Sequence, residues 1–89
     1  NTAKVRPGAT VAVLGCGGVG QAVIQGARIA GASRIIAIDP QPLKRETAAK
    51  LGATDTIDPS AGDPVAQVKE LTGGRGVDYS FEVIGLPDT

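Results

Sequence analysis

Residues 10–20 read Thr10-Val11-Ala12-Val13-Leu14-Gly15-Cys16-Gly17-Gly18-Val19-Gly20. An apolar run ends in three glycines at positions one, three and six of a turn, and a helical pattern opens at Val19. Each glycine has a physical task. Gly15 permits the tight bend out of a strand, Gly17 lets the backbone approach a pyrophosphate, and Gly20 lets the helix pack closely on the strand. A helix starting here aims free N–H groups and the positive end of its dipole at whatever lies above the turn, which favours an anion. The stretch reads as a phosphate cradle.

The pattern alone is weak, because a chain with 13 glycines in 89 residues supplies such triplets easily. A glycine-rich turn with no ligand would look the same. Two further features add weight. The motif lies between a strand and a helix, and Asp39 ends the next strand-like run nineteen positions after Gly20. A carboxylate there accepts hydrogen bonds from adenosine ribose hydroxyls and completes a dinucleotide fingerprint. A 2′-phosphate would meet like charge at Asp39, so NAD is expected over NADP. The alternative for Asp39 is a surface acid capping the helix that follows Pro40-Gln41-Pro42.

Working outward, residues 10–14 form a first strand whose continuous apolar character marks burial on both faces, as in a parallel sheet. A helix over about 18–30 carries Val19, Ala22, Val23, Gly26, Ala27 and Ala30 on one stripe, and Gly31 fits its cap. Before the strand, residues 1–8 read as an incoming helix or linker stopped by a Pro7-Gly8 turn. Arg34 to Asp39 is the second strand. Pro42 opens a second helix with Leu43, Thr47, Ala48 and Leu51 inward and Lys44, Arg45 and Lys50 solvated, and Gly52 ends it. Thr54 to Ile57 is a short edge strand. Asp63-Pro64 starts a third helix with Val65, Val68 and Leu71 as its stripe. A loop over 72–76 leads to a fourth strand over 77–84, with Val77, Tyr79, Phe81 and Val83 alternating against Asp78, Ser80 and Glu82.

The order is β-α-β-α-β-α-β, an α/β class with crossovers long enough to demand parallel pairing. Right-handed crossovers then give the sheet order 3-2-1-4 with helices on both faces, one half of a Rossmann-type design. A ligand is expected at the switch point between strands 1 and 4, bordered by Gly15–Gly20 and by Ile84-Gly85-Leu86. Residues 1–89 read as a single, partial domain with the second half of the sheet missing. Strand 77–84 would then form an apolar edge, and self-association through it is expected.

Composition narrows the partners. Nine basic and nine acidic residues cancel, and one Tyr and one Phe offer no base-stacking surface, so nucleic acid is not expected. No apolar run approaches the roughly twenty residues of a membrane span. The single Cys16 fits a reducing, cytoplasmic setting, and it reads as a small packing residue. With no histidine and one cysteine, this chain alone supplies no zinc ligand set. No methionine is present, and the chain looks like a piece of a longer one. No acid–base or nucleophilic constellation is visible, so no catalytic residue is assigned. Asp78 and Glu82 read as solvated or loop-bonded, and Arg75 as a surface charge.

The residues resemble those of a known family, the coenzyme-binding domain of zinc-containing medium-chain alcohol dehydrogenases. The match runs through Asn1-Thr2-Ala3-Lys4-Val5, Gly15-Cys16-Gly17-Gly18-Val19-Gly20, Gly31-Ala32-Ser33-Arg34-Ile35-Ile36, Asp39 with Lys44 five later, Leu51-Gly52-Ala53-Thr54 and Phe81-Glu82-Val83-Ile84-Gly85. The resemblance implies an NAD- and zinc-dependent alcohol–aldehyde oxidoreductase, cytoplasmic and oligomeric. It implies that Val19 backs the nicotinamide, that Gly17, Gly18 and Val19 line the pyrophosphate, and that Asp39 and Lys44 hold the adenosine ribose. Ile84 and Gly85 would touch the cofactor across the crevice. Cys16 stands where an aliphatic residue is more usual, and Leu86 where some relatives have a basic one. The zinc-bearing catalytic domain is absent from this chain. A non-enzymatic module that senses NAD or another adenine nucleotide is the alternative that fold and fingerprint leave open.

Overall fold

The computed structural model describes residues 5–82. Seven main elements follow one another: β1 (Thr10–Leu14), α1 (Gly18–Ile29), β2 (Arg34–Ile38), α2 (Pro42–Leu51), β3 (Asp55–Ile57), α3 (Pro64–Leu71) and β4 (Tyr79–Glu82). A short 3-10 turn at Pro59–Ala61, absent from the sequence reading, links β3 to α3. The four strands form one sheet in the order β3-β2-β1-β4. All pairings are parallel, with Thr10 opposite Arg34, Val11 opposite Tyr79 and Ile36 opposite Asp55 at the starts of the three registers. The expected class, order and direction therefore hold.

The alternation of strand side chains divides the core into two layers. Val11, Val13, Ile35 and Ala37 face Ile24 and Ala27 of α1 and Ala48 of α2. Ala12, Ile36, Ile38 and Ile57 face the other way, against Val68 and Leu71 of α3. Helices thus cover both faces. Ile24, Ile35 and Ile36 are the largest fully buried side chains, each contributing about 1.5–3 kcal/mol by leaving water.

Local signals set the element ends. Pro42 occupies the first turn of α2, and Gly52 closes that helix at φ +133°. The Asp63 carboxylate accepts from the Val65 amide at 3.0 Å and caps α3. Gly31, at φ +88°, follows the Ala30 cap of α1.

Four details depart from expectation. Of the expected α1 stripe, Ala27 is buried and Val23 and Ala30 pack against the core, but Val19 and Ala22 are exposed, and Gly20 and Ile24 are buried in their place. Leu43 and Val65, expected inward, are exposed. Each sits in the first turn of its helix, ahead of the part that lies on the sheet. β4 begins at Tyr79, not Val77. Val77 packs with the α3 layer while Tyr79 and Phe81 pack with the α1 layer, so the alternation breaks before the strand. Asp78 makes that break: its amide donates to the Thr10 carbonyl at 2.8 Å, and its carboxylate accepts the Thr10 amide at 2.8 Å. The expected extension of this strand through Ile84 lies outside the described residues.

Candidate functional site

The carboxyl end of β1 delivers the chain into the glycine turn. Gly15 sits at φ +96°, a conformation that side chains resist, and its amide donates to the Ile38 carbonyl at 2.8 Å. The first glycine is therefore required by the bend itself. Gly20 is buried on α1, as the close helix packing expected of the third glycine needs.

Gly17 and Gly18 are different. Gly17 has φ −75° and ψ −162°, an extended backbone open to any residue. A Cβ built on it would find only the Lys44 Nζ, at 4.0 Å, and one built on Gly18 would find nothing within 4 Å among the described residues. Neither conformation nor internal packing calls for glycine at these two places. A side chain there would instead fill the space in front of the first turn of α1. The amides of Gly18, Val19 and Gly20 have no partner within the helix, no side chain caps them, and no acid sits in that turn. The surface is bare, donor-rich and open, as an approaching pyrophosphate needs.

Asp39 lies just past β2 and is 5% exposed. It is neither a surface acid nor the cap of α2, whose N-cap is Gln41. Its Oδ2 accepts from the Cys16 amide at 2.8 Å, and its Oδ1 accepts from the Gln41 amide at 2.8 Å. One carboxylate thus ties the glycine turn to the exit of β2. A carboxylate has about four acceptor positions, so two committed bonds leave capacity for ribose hydroxyls. Half-buried Lys44 brings its ammonium to Gly17, on the site side of α2.

Val19, 59% exposed, presents an apolar side chain in the first turn of α1. The structure therefore brings Gly15, Gly17, Gly18, Val19, Gly20, Asp39 and Lys44 to one end of the sheet. Ile84 and Gly85 lie outside the described residues; β4 is described as far as Glu82, which pairs with Leu14 immediately before the turn.

Two supporting residues escaped the sequence reading. Gln21 donates from Nε2 to the Cys16 carbonyl at 3.0 Å, holding the turn from the helix side. Arg45, read as solvated, donates from Nη1 to the Asp39 carbonyl at 2.8 Å.

Cys16 is fully buried beneath the turn, and its thiol contacts the Ile38 carbonyl at 3.9 Å. Burial, reinforced by the nearby Asp39 carboxylate, pushes the thiol up to about 11, with the Ile38 contact and Lys44 offsetting only part of the rise. The thiolate is the reactive form, so Cys16 is expected to resist a small thiol reagent at neutral pH until the protein is denatured. Because the folded value of about 11 exceeds the ordinary 9.0, the protonated thiol's contribution to stability is complete below pH 9.0 and lost as pH rises towards 11. Unfolding midpoints measured across that interval should fall; for Cys16→Ala the part of the fall due to this group should vanish.

The zinc-binding dehydrogenase family pattern matches residues 18–89 of the sequence. The chain belongs to that family. Over 86 residues the chain is 59% identical to the S-(hydroxymethyl)glutathione dehydrogenase of Synechocystis sp., covering 96% of the chain and 23% of that protein. It is 58% identical over 87 residues to the class-3 alcohol dehydrogenase of Myxine glutinosa, with 96% and 23% covered. The crystal structure of an alcohol dehydrogenase zinc-binding domain protein from Burkholderia ambifaria superposes with a TM-score of 0.90 at 46% identity, covering 98% of this chain and 23% of that one. An alcohol dehydrogenase from a Thermus species gives 0.87 at 42% identity, with 93% and 24% covered. The chain thus spans about a quarter of the length of the relatives it matches.

The zinc of the family's description does not fit residues of this chain. The sequence has no histidine, its one cysteine is buried and protonated, and among the described residues no three Cys, His, Asp or Glu side chains cluster. Also among the described residues, no helix is long and apolar enough to cross a membrane.

Proposed function

We propose that the chain is the NAD(H)-binding portion of a cytoplasmic, NAD-dependent alcohol–aldehyde oxidoreductase, residues 1–89 being part of its coenzyme domain. The observation that carries this reading is the pair of glycines, Gly17 and Gly18, that the fold itself does not need. They keep bare the amides of the first turn of α1, where the pyrophosphate would lie. Asp39, with acceptor capacity in reserve and a negative charge at the ribose position, would accept the ribose hydroxyls and disfavour a 2′-phosphate. Lys44 would supply a donor to the same ribose, Val19 would back the nicotinamide, and Ile84 and Gly85 would close the far side of the crevice. The bound nicotinamide supplies hydride acceptance or donation. The work of these residues is to bind and orient it. Zinc and the groups that move protons would come from outside this chain.

The test is a steady-state assay of the full-length protein with primary alcohols. Reduction of NAD, with NADP a much poorer acceptor, is the expected result; alcohol-independent nucleotide binding without turnover would overturn the enzymatic reading in favour of a sensor. Self-association through strand 77–84 belongs to the same proposal; among the described residues β4 pairs only with β1. Light scattering that finds only monomer counts against that part.

A further inference from the structure

Asp39 emerges from β2 at a point where the sheet gives it little support. Its amide donates to the Ile57 carbonyl at 3.1 Å, the last strand-like bond on this side. Beyond it the chain turns through Pro40-Gln41-Pro42, which offers the Asp39 carbonyl no strand partner. That carbonyl is taken by Arg45, whose Nη1 donates to it at 2.8 Å. The same Nη1 lies 3.8 Å from Asp58 Oδ2, just past the end of β3, with the two side chains 20% and 32% exposed. The guanidinium therefore joins three segments: α2, the exit of β2 and the exit of β3.

Asp58 is itself held in place. Its Oδ1 accepts from the Ser60 amide at 2.9 Å and from the Ser60 hydroxyl at 2.6 Å. The Ser60 hydroxyl foremost, then its amide, hold the Asp58 carboxyl below the ordinary carboxylate range, with Arg45 a smaller contributor. Asp58 is thus ionised throughout the neutral range.

We propose that Arg45 is a positioning residue: by anchoring the Asp39 backbone to Asp58, it aims the Asp39 carboxylate at the adenosine ribose and so sets the preference for a dinucleotide without a 2′-phosphate. This rests on the dinucleotide assignment above. The Asp39 side chain is fixed at its far end by the Cys16 and Gln41 amides, and the Arg45 bond fixes the main chain from which it springs. Without that second anchor the Asp39 carbonyl loses its donor, and the carboxylate that discriminates between nucleotides is held by the Cys16 and Gln41 amides alone. A lysine keeps the charge but not the planar guanidinium whose Nη1 meets both the carbonyl and the carboxylate, so it should replace the arrangement only in part.

The experiment measures KM for NAD and for NADP, with kcat, in the full-length enzyme and its Arg45→Met, Arg45→Lys and Asp58→Asn variants. Arg45→Met should raise KM for NAD about tenfold, narrow the NAD-over-NADP preference by a similar factor and leave kcat within about twofold. Arg45→Lys should fall between wild type and Arg45→Met, and Asp58→Asn should narrow the preference in the same direction by less. A purely structural role would raise KM for both coenzymes equally; an unchanged preference in Arg45→Met overturns the proposal. If Arg45→Met does not fold, Asp58→Asn decides, and an unchanged preference there has the same consequence. A wild-type enzyme that uses neither nucleotide overturns both this proposal and the function it rests on, whereas a wild type that prefers NAD while all three variants match it overturns the Arg45 role alone.

Discussion

Gly17→Val is expected to abolish dinucleotide binding while leaving the fold intact. The substitution is conformationally permitted, because φ −75° with ψ −162° is an extended backbone that a β-branched residue adopts readily. It is also sterically permitted, because the nearest protein atom to the new Cβ is the Lys44 Nζ at 4.0 Å, the far end of a flexible side chain. Two methyl groups would then stand where the pyrophosphate must approach the helix amides. We expect NADH affinity to fall by at least about a hundredfold, equivalent to roughly 2.8 kcal/mol. The thermal midpoint of the ligand-free protein should stay within about 2 °C of wild type. A variant that unfolds would mean that Gly17 serves the fold; one that binds NADH normally would mean that the cradle lies elsewhere. By contrast the same change at Gly15, at φ +96°, should damage the fold first.

Asp39→Ala is expected to damage stability and selectivity together. Two amides lose their acceptor, and the Cys16 amide is buried beside a fully buried side chain. Leaving a buried donor unpaired costs about 1–3 kcal/mol, so with the more accessible Gln41 amide the loss should be on the order of 2–4 kcal/mol. Thermal unfolding of the ligand-free protein measures this. The same change removes the negative charge from the ribose position, and the preference for NADH over NADPH should shrink by at least about tenfold. Asp39→Asn separates the two effects, because its amide oxygen still accepts a hydrogen bond while the charge is gone. It should recover part of the stability and none of the selectivity. An Asp39→Ala protein as stable as wild type would contradict the described bonds, and one that keeps its preference would contradict the ribose role.

The fold was legible because its main signals are local and redundant. Continuous apolar runs at 10–14 and 34–38 identify strands buried on both faces, and the helical stretches between them require parallel pairing. The caps were equally plain, as at Asp63-Pro64 and Gly52. The phase of α1 was legible only in part. Its sequence is so rich in glycine and alanine that several stripes look alike, and Ile24, the largest buried residue of the helix, has no large apolar neighbour at helical spacing. The start of β4 was misplaced because Val77 has the residue type of a strand, while the Asp78 bonds to Thr10 that interrupt the alternation join residues 68 positions apart.

The glycine turn and the position of Asp39 beside it were readable from spacing, but that Asp39 holds the turn was not. Nothing in a linear pattern says that the acid after one strand accepts the amide after another. Arg45 was missed for a related reason: beside Lys44 and Glu46 it looks like one more charge on a solvated helix face. The one available signal was indirect. Pro40-Gln41-Pro42 cannot continue a strand, so the Asp39 carbonyl had to find a donor elsewhere.

The most direct test of the account is a calorimetric titration of the folded, full-length protein with NADH and, separately, with NADPH. The account predicts saturable NADH binding and NADPH binding weaker by at least about tenfold. A folded protein that binds neither nucleotide, or binds both equally, would contradict it.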